Sequence, residues 1–190
     1  MKIAITGNTR GIGKALSDGF TSQGHEVIGF NRSTTPNLSS EEGIEAVANA
    51  SDECDMIVIN AYDFELRKTN LGFAQTTLLL KMWELWKDKD KIIVTIGSRS
   101  SDGSMSGSDP VPMRPFYYYI HKCTLDLAVK QLRNIQKTNP QIINLKPGYV
   151  DTEQVSDIIV NKLDPKDVFE LLDWAIKHKN LILDLSFTIR

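Results

Sequence analysis

The sequence predicts an α/β fold: one domain over residues 1–190, built as a doubly wound parallel sheet of about six or seven strands with helices on both faces. Three observations predict it. Six short apolar runs recur along the 190 residues, rich in Ile and Val and without clean alternation, as strands covered on both faces require. Segments of helical spacing fill the gaps between them. A glycine-rich turn joins the first run to the first helical segment.

The first strand is Ile3-Ala4-Ile5. Ile12, Ala15, Leu16, Gly19 and Phe20 then follow at i, i+3, i+4, i+7 and i+8, and Gly24 stops that helix. Val27 to Phe30 is the second strand. Ser39 and Glu42 have capping-box spacing ahead of Ile44, Val47 and Ala48. Only a stub of strand near Asn37–Ser39 fits before that short helix. Met56 to Ile59 is the next strand, and Leu71, Ala74, Leu78, Met82 and Leu85 stripe a longer helix. Ile92 to Ile96 follows, then a helix carrying Tyr118, Lys122, Leu125, Val129 and Leu132. Ile142 to Leu145 precedes Asp164 and Pro165, an N-cap and first-turn pair for the helix of Val168, Leu171, Leu172 and Ala175. Leu181 to Leu183 is the last run. Ser98 to Pro115 breaks the pattern with six serines, two glycines and three prolines in eighteen residues. A loop of that length favours a functional segment, here a substrate lid.

Composition excludes several classes. With 22 basic and 24 acidic residues the net charge is −2, which leaves no field to attract nucleic acid or an anionic membrane. No apolar run approaches the ~18 residues of a membrane span. Cys54 and Cys123 make no disulfide framework, and His25, His121 and His178 have no metal spacing, so no metal site is expected. A cytoplasmic protein is the expectation.

Thr6-Gly7-Asn8-Thr9-Arg10-Gly11-Ile12-Gly13 carries the strongest chemistry. Glycines let such a turn close and let backbone N–H groups approach a pyrophosphate, while the helix N-terminus adds partial positive charge. A nucleoside-triphosphate loop fails on spacing, because five residues separate Gly7 from Gly13 and Ala15 follows Lys14. The common Gly-x-Gly-x-x-Gly fingerprint fails because Leu16 occupies the third glycine position.

The turn resembles that of the short-chain dehydrogenase/reductase family, Thr-Gly-x-x-x-Gly-x-Gly, through Thr6, Gly7, Gly11 and Gly13. Further resemblances follow in the family's order. Asn60-Ala61-Tyr62 is similar to the Asn-Asn-Ala-Gly element, with Ile59 and Tyr62 as departures. Asn70-Leu71-Gly72 opens the long helix. Ile93 to Ser98 resembles the strand ending in the catalytic serine, Tyr118 and Lys122 match Tyr-x-x-x-Lys, and Pro147 to Thr152 matches the stretch beside the nicotinamide.

The resemblance implies a Rossmann-type fold and hydride transfer between a nicotinamide and a carbonyl or alcohol. It implies Tyr118 as general acid/base, Lys122 on the nicotinamide ribose, Ser98 on the substrate oxygen and Asn70 at a proton-relay water. A lysine ammonium ~4 Å from a phenol favours the phenolate by up to about 4 kcal/mol at an effective dielectric near 20. That brings a tyrosine of ordinary pKa near 10 within reach of acid/base work. The cofactor contacts implied are Gly7, Asn8, Thr9, Arg10, Gly11, Ile12, Gly13, Asn31, Arg32, Ser33, Leu38, Asn60, Ala61, Tyr62, Lys122, Pro147, Gly148, Val150 and Thr152.

Asn31-Arg32 follows the second strand where users of NAD place an acid. With Arg10 it offers two arginines and no carboxylate, which favours NADP(H) over NAD(H). A non-catalytic dinucleotide-binding regulatory or scaffold protein is the alternative, weakened because Tyr118 and Lys122 are both kept. An epimerase-like enzyme would need a larger substrate domain. His121 reads as a surface histidine off the Tyr118 face, Cys123 as a small buried thiol, and Trp83 and Trp86 as the edge of the core or a subunit contact. The expected partners are a small carbonyl or alcohol substrate and a second copy of the chain, in a homodimer or homotetramer through the helices over 70–87 and 116–138.

Overall fold

The computed structural model describes residues 1–34, 36–102, 116–135, 139–156, 160–178 and 184–187. In chain order its elements are β1 (Lys2–Thr6), α1 (Gly11–Ser22), β2 (Glu26–Phe30), α2 (Glu41–Ala50), β3 (Met56–Ile59), α3 (Ala74–Trp86), β4 (Ile92–Ile96), α4 (Phe116–Ile135), β5 (Gln141–Pro147), α5 (Pro165–Lys177) and β6 (Asp184–Phe187). Short 3-10 turns lie at Leu66–Lys68, Asn70–Phe73, Arg99–Asp102 and Glu153–Val155. The strands form one sheet in the order β2-β1-β3-β4-β5-β6, every neighbouring pair parallel.

Strand period two sorts the apolar side chains into two cores. Ala4, Ile57, Ile59, Ile93 and Ile142 face α2, α3 and α4, packing on Ile44, Val47, Leu78, Met82, Leu125 and Val129. Ile3, Ile5, Met56, Val58, Val94 and Ile143 face α1 and α5, packing on Leu16, Phe20, Val168 and Leu172. This two-sided burial is why the runs read as continuous rather than alternating. Trp86 lies fully inside the first core with its indole N–H donating to Asp52, so the core reading of that residue stands.

Local signals place most helix ends. The Asp164 side chain accepts from Lys166 N at 2.8 Å, and Asp167 accepts from Asp164 N at 3.0 Å. Gly24 adopts φ +82° after α1. The α2 cap falls one residue later than expected: Ser40, not Ser39, accepts from Gly43 N at 2.9 Å. The expected stub of strand at Asn37–Ser39 is absent. That segment is held by side-chain turns, with Asn37 bonded to Thr34 O and Ser39 N. The run expected at 181–183 lies outside the described residues, and the described sixth strand is 184–187. Most of the Ser98–Pro115 loop, 103–115, also lies outside them, as does 157–159.

Successive strands step outward from β1 in both directions: β2 to one side, β3 onward to the other. The carboxyl ends of β1 and β3 therefore flank a crevice, the place where open α/β sheets hold ligands.

Candidate functional site

A cleft of about 410 Å³ runs along this edge, from the loops after β2 and β3 to the ends of β4 and β5. Its floor is the turn after β1. Gly7 and Gly11 hold φ +71° and +53°, the left-handed region that glycine tolerates. A Cβ on Gly13 would stand 2.1 Å from the Gly7 carbonyl oxygen. The turn can close this tightly only on glycine. Thr6 Oγ1 accepts from the backbone N–H of Asn60 (2.9 Å) and Ala61 (3.0 Å), and Asn60 Nδ2 donates to the carbonyls of Thr6 and Gly7. The β3 end thereby braces the turn.

Arg10, the residue capping α1, offers no side-chain acceptor to the first helical turn, and that turn carries no acid. Its N–H groups and partial positive charge are left for an anion at the cleft floor. This donor set fits the pyrophosphate of a dinucleotide.

Most of the expected cofactor contacts line this one cleft. Thr9, Arg10, Gly11 and Ile12 come from the turn, and Asn31, Arg32, Ser33 and Leu38 from beyond β2. Asn60, Ala61 and Tyr62 come from beyond β3, and Pro147, Gly148, Val150 and Thr152 from beyond β5. Asn8 and Gly13 sit behind the lining. Asn8 Oδ1 accepts from Asn31 Nδ2 at 3.1 Å, and Gly13 packs on Gly7.

The far end gathers Ser98, Tyr118 and Lys122. Ser98 stands two residues beyond β4 and is buried; its hydroxyl lies 3.1 Å from that of Ser100 and accepts from Ser100 N. Tyr118 and Lys122 share one face of α4, 7% and 3% exposed. Lys122 Nζ donates to Ile96 O and to Gln75 Oε1, both at 2.8 Å, and lies 5.5 Å from the ring centres of both Tyr62 and Tyr118.

Asn70 is not in the cleft. It is exposed and lines a separate groove between α2 and α3. The reason is local: residues 70–73 form their own 3-10 turn, capped by the Thr69 hydroxyl, and α3 starts only at Ala74. The amide beside Lys122 is instead Gln75, 4% exposed, whose Nε2 donates to Ile59 O and Asn60 O at 3.2 Å. The sequence does carry a signal for it. Leu71, Gln75, Leu78 and Met82 are spaced as one apolar stripe, and a polar residue on a buried stripe needs a partner.

His121 is buried, not a surface residue. At i+3 from Tyr118 it shares that tyrosine's face. It packs on Phe73 with ring centres 4.3 Å apart, and its Nδ1 lies 2.9 Å from the Tyr62 hydroxyl. Burial, and secondarily the Lys122 charge, hold its pKa below the ordinary histidine value. Burial, then the neighbouring Tyr118, push the Tyr62 phenol up to about 12. Phe64 stacks on Tyr118 at 5.5 Å and 9°, and Tyr62 meets it edge-on at 5.0 Å and 86°. The tyrosine is thus walled by aromatic rings.

The end near β2 is not free of acids. Arg32 Nη2 lies 2.7 Å from Asp63 Oδ1 and 3.4 Å from Glu65, and Arg10 pairs with Glu153 at 3.0 Å. The expectation of two arginines without a carboxylate holds only for the residues directly after β2. The acids arrive from other loops.

No family model matches the chain, and no curated protein matches it by sequence. Solved structures do match. A 3α-hydroxysteroid dehydrogenase from Pseudomonas sp. B-0831, complexed with NADH, superposes with TM-score 0.77 at 20% identity, over 99% of this chain and 95% of that one. An NADPH-dependent 3-quinuclidinone reductase from Rhodotorula rubra gives 0.78 at 16%, over 98% and 89%. A 3-ketoacyl-(acyl-carrier-protein) reductase from Brucella melitensis, complexed with NADH, gives 0.74 at 17%, over 98% and 96%. The parallel sheet and the helices on its faces thus have the architecture of these proteins: the chain has the fold of the short-chain dehydrogenases/reductases.

Proposed function

We propose that the chain is an oxidoreductase of the short-chain dehydrogenase/reductase type, using NADP(H) in preference to NAD(H) to interconvert a carbonyl and an alcohol. One observation carries the reading: Ser98 after β4 and Tyr118 with Lys122 on α4 meet in the cleft whose floor is the glycine turn. The bound nicotinamide would supply or take the hydride; the protein positions and protonates.

Tyr118 gives its proton to the carbonyl oxygen in reduction and takes it back in oxidation. Lys122, fixed by Gln75 and Ile96 O, places its positive charge beside that phenol and within reach of a ribose. Ser98 donates to the substrate oxygen as charge develops there. Gln75 takes the supporting place that the sequence suggested for Asn70. A substrate reaches Tyr118 along Tyr62 and Phe64. Arg10 and Arg32 are the cations for a 2′-phosphate: Arg10 holds an exposed ion pair with Glu153 that a phosphate can displace at low cost, while Arg32 is shared by Asp63 and Glu65. Self-association would use α3 and α4, where Leu80 and Leu127 stand exposed; light scattering after size-exclusion chromatography reads it.

Turnover of a carbonyl panel with NADPH, wild type against Tyr118→Phe, tests the proposal. The variant should lose turnover at least a hundredfold, in line with general acid/base contributions of roughly 10²–10⁴, and keep its NADPH affinity. Equal turnover in both proteins would overturn it.

A further inference from the structure

Strand order places β1 between β2 and β3. All three are parallel, so their carboxyl ends lie on the same edge. Arg32 stands two residues beyond β2 and Asp63 four beyond β3. Their 2.7 Å ion pair therefore spans the end of β1, above the glycine turn, and both residues line the cleft. The pair is built rather than incidental. Asp63 Oδ1 also accepts from Glu65 N at 2.9 Å, which fixes the carboxylate in a local turn. Asp63 is the less exposed partner, its side chain 24% accessible against 58% for Arg32, and Glu65 approaches the same guanidinium at 3.4 Å. One cation is shared between two carboxylates.

Resting on the proposed dinucleotide site, we infer that Asp63 sets the choice between the two cofactors by competing with a 2′-phosphate for Arg32. A phosphate monoester carries nearly two negative charges near neutral pH. To engage the Arg32 fork it must displace Asp63 Oδ1 and then lie beside two carboxylates. A free ribose 2′-hydroxyl meets the opposite situation, since it can donate a hydrogen bond to Asp63 while that carboxylate stays paired. Asp63 therefore taxes the phosphorylated cofactor and not the other. Arg32 supplies the attraction, Asp63 subtracts from it, and the balance gives a narrower preference than two unpaired arginines would give.

The test is a fluorescence titration of wild type, Asp63→Asn and Arg32→Ala with NADPH and, separately, NADH. Asparagine keeps an acceptor for Glu65 N, and both sites are exposed enough for the fold to persist. Asp63→Asn should tighten NADPH by about two- to fivefold, the scale of one exposed charge pair, and leave NADH unchanged or weaker. Arg32→Ala should weaken NADPH by about tenfold, the loss of one charge-assisted contact, with little effect on NADH. An unchanged NADPH-to-NADH ratio in Asp63→Asn, with both cofactors binding wild type, overturns this inference alone. Binding of neither cofactor by folded wild type overturns the dinucleotide site and this inference with it.

Discussion

Replacing Gln75 with leucine keeps most of the side-chain volume and removes every polar contact the amide makes. Lys122 Nζ loses one of its two 2.8 Å acceptors and keeps Ile96 O. Ile59 O and Asn60 O each lose a 3.2 Å donor. A hydrogen bond to a charged group contributes about 1.5–3 kcal/mol and a neutral one about 0.5–1.5. Asn60 is only half-buried, so water can replace part of its loss. The net cost is about 2–4 kcal/mol, because the ammonium stays buried with one acceptor fewer. Urea denaturation reads this directly as a lower midpoint at unchanged slope. A purely structural role would stop there. If Gln75 positions Lys122, turnover should also fall and the pH profile of kcat should move, because the ammonium no longer holds its place beside Tyr118. A stability loss below about 1 kcal/mol with an unmoved pH profile would refute the reasoning.

Other perturbations have outcomes set by the same geometry. Gly13→Ala forces a methyl against the Gly7 carbonyl, so the turn must open; NADPH affinity should fall about tenfold or more by fluorescence titration. Lys146 lies 2.7 Å from Asp102 and 3.6 Å from Asp126, tying the turn after Ser98 to β5; Lys146→Met should cost about 1–3 kcal/mol in urea, because Asp102 loses its charge-assisted contact while Asp126 keeps Lys130 at 2.6 Å. Stability should also depend on His121. Its folded pKa is below the unfolded value near 6.5, so the unfolded chain binds the extra proton first as pH falls. Its contribution is therefore present above about pH 6.5 and lost as pH drops through that value and on through the folded pKa. His121→Gln, which keeps an acceptor for Tyr62, should flatten the melting temperature between pH 7 and 5.

Much of the fold was legible because two-sided burial writes itself into sequence. Met56 to Ile59 can be apolar throughout, and Ile92 to Ile96 apolar but for Thr95, only if helices cover both faces, and they do. The glycine turn was legible because its backbone geometry admits no other residue at Gly13. That Ser98, Tyr118 and Lys122 line one cleft was expected from the order of motifs resembling the short-chain dehydrogenase/reductase family. What escaped depends on where a chain segment begins to coil or what it meets across the fold. Asn70 failed because α3 starts three residues later than the stripe from Leu71 suggests. Gln75 was hidden inside that stripe, and its partner lies on another helix. The pairing of Asp63 with Arg32 was invisible because only the strand order β2-β1-β3 brings the two together. His121 was misread because its cover, Phe73 and Gly72, comes from the turn before α3.

The central claim is that the cleft over the glycine turn holds a nicotinamide dinucleotide. Calorimetric titration of the folded wild-type chain with NADP⁺ and NAD⁺ tests it most directly. Both should bind saturably and one-to-one, NADP⁺ more tightly, and Gly13→Ala should lose that binding. Absence of heat from either dinucleotide, or binding undiminished in Gly13→Ala, would contradict it.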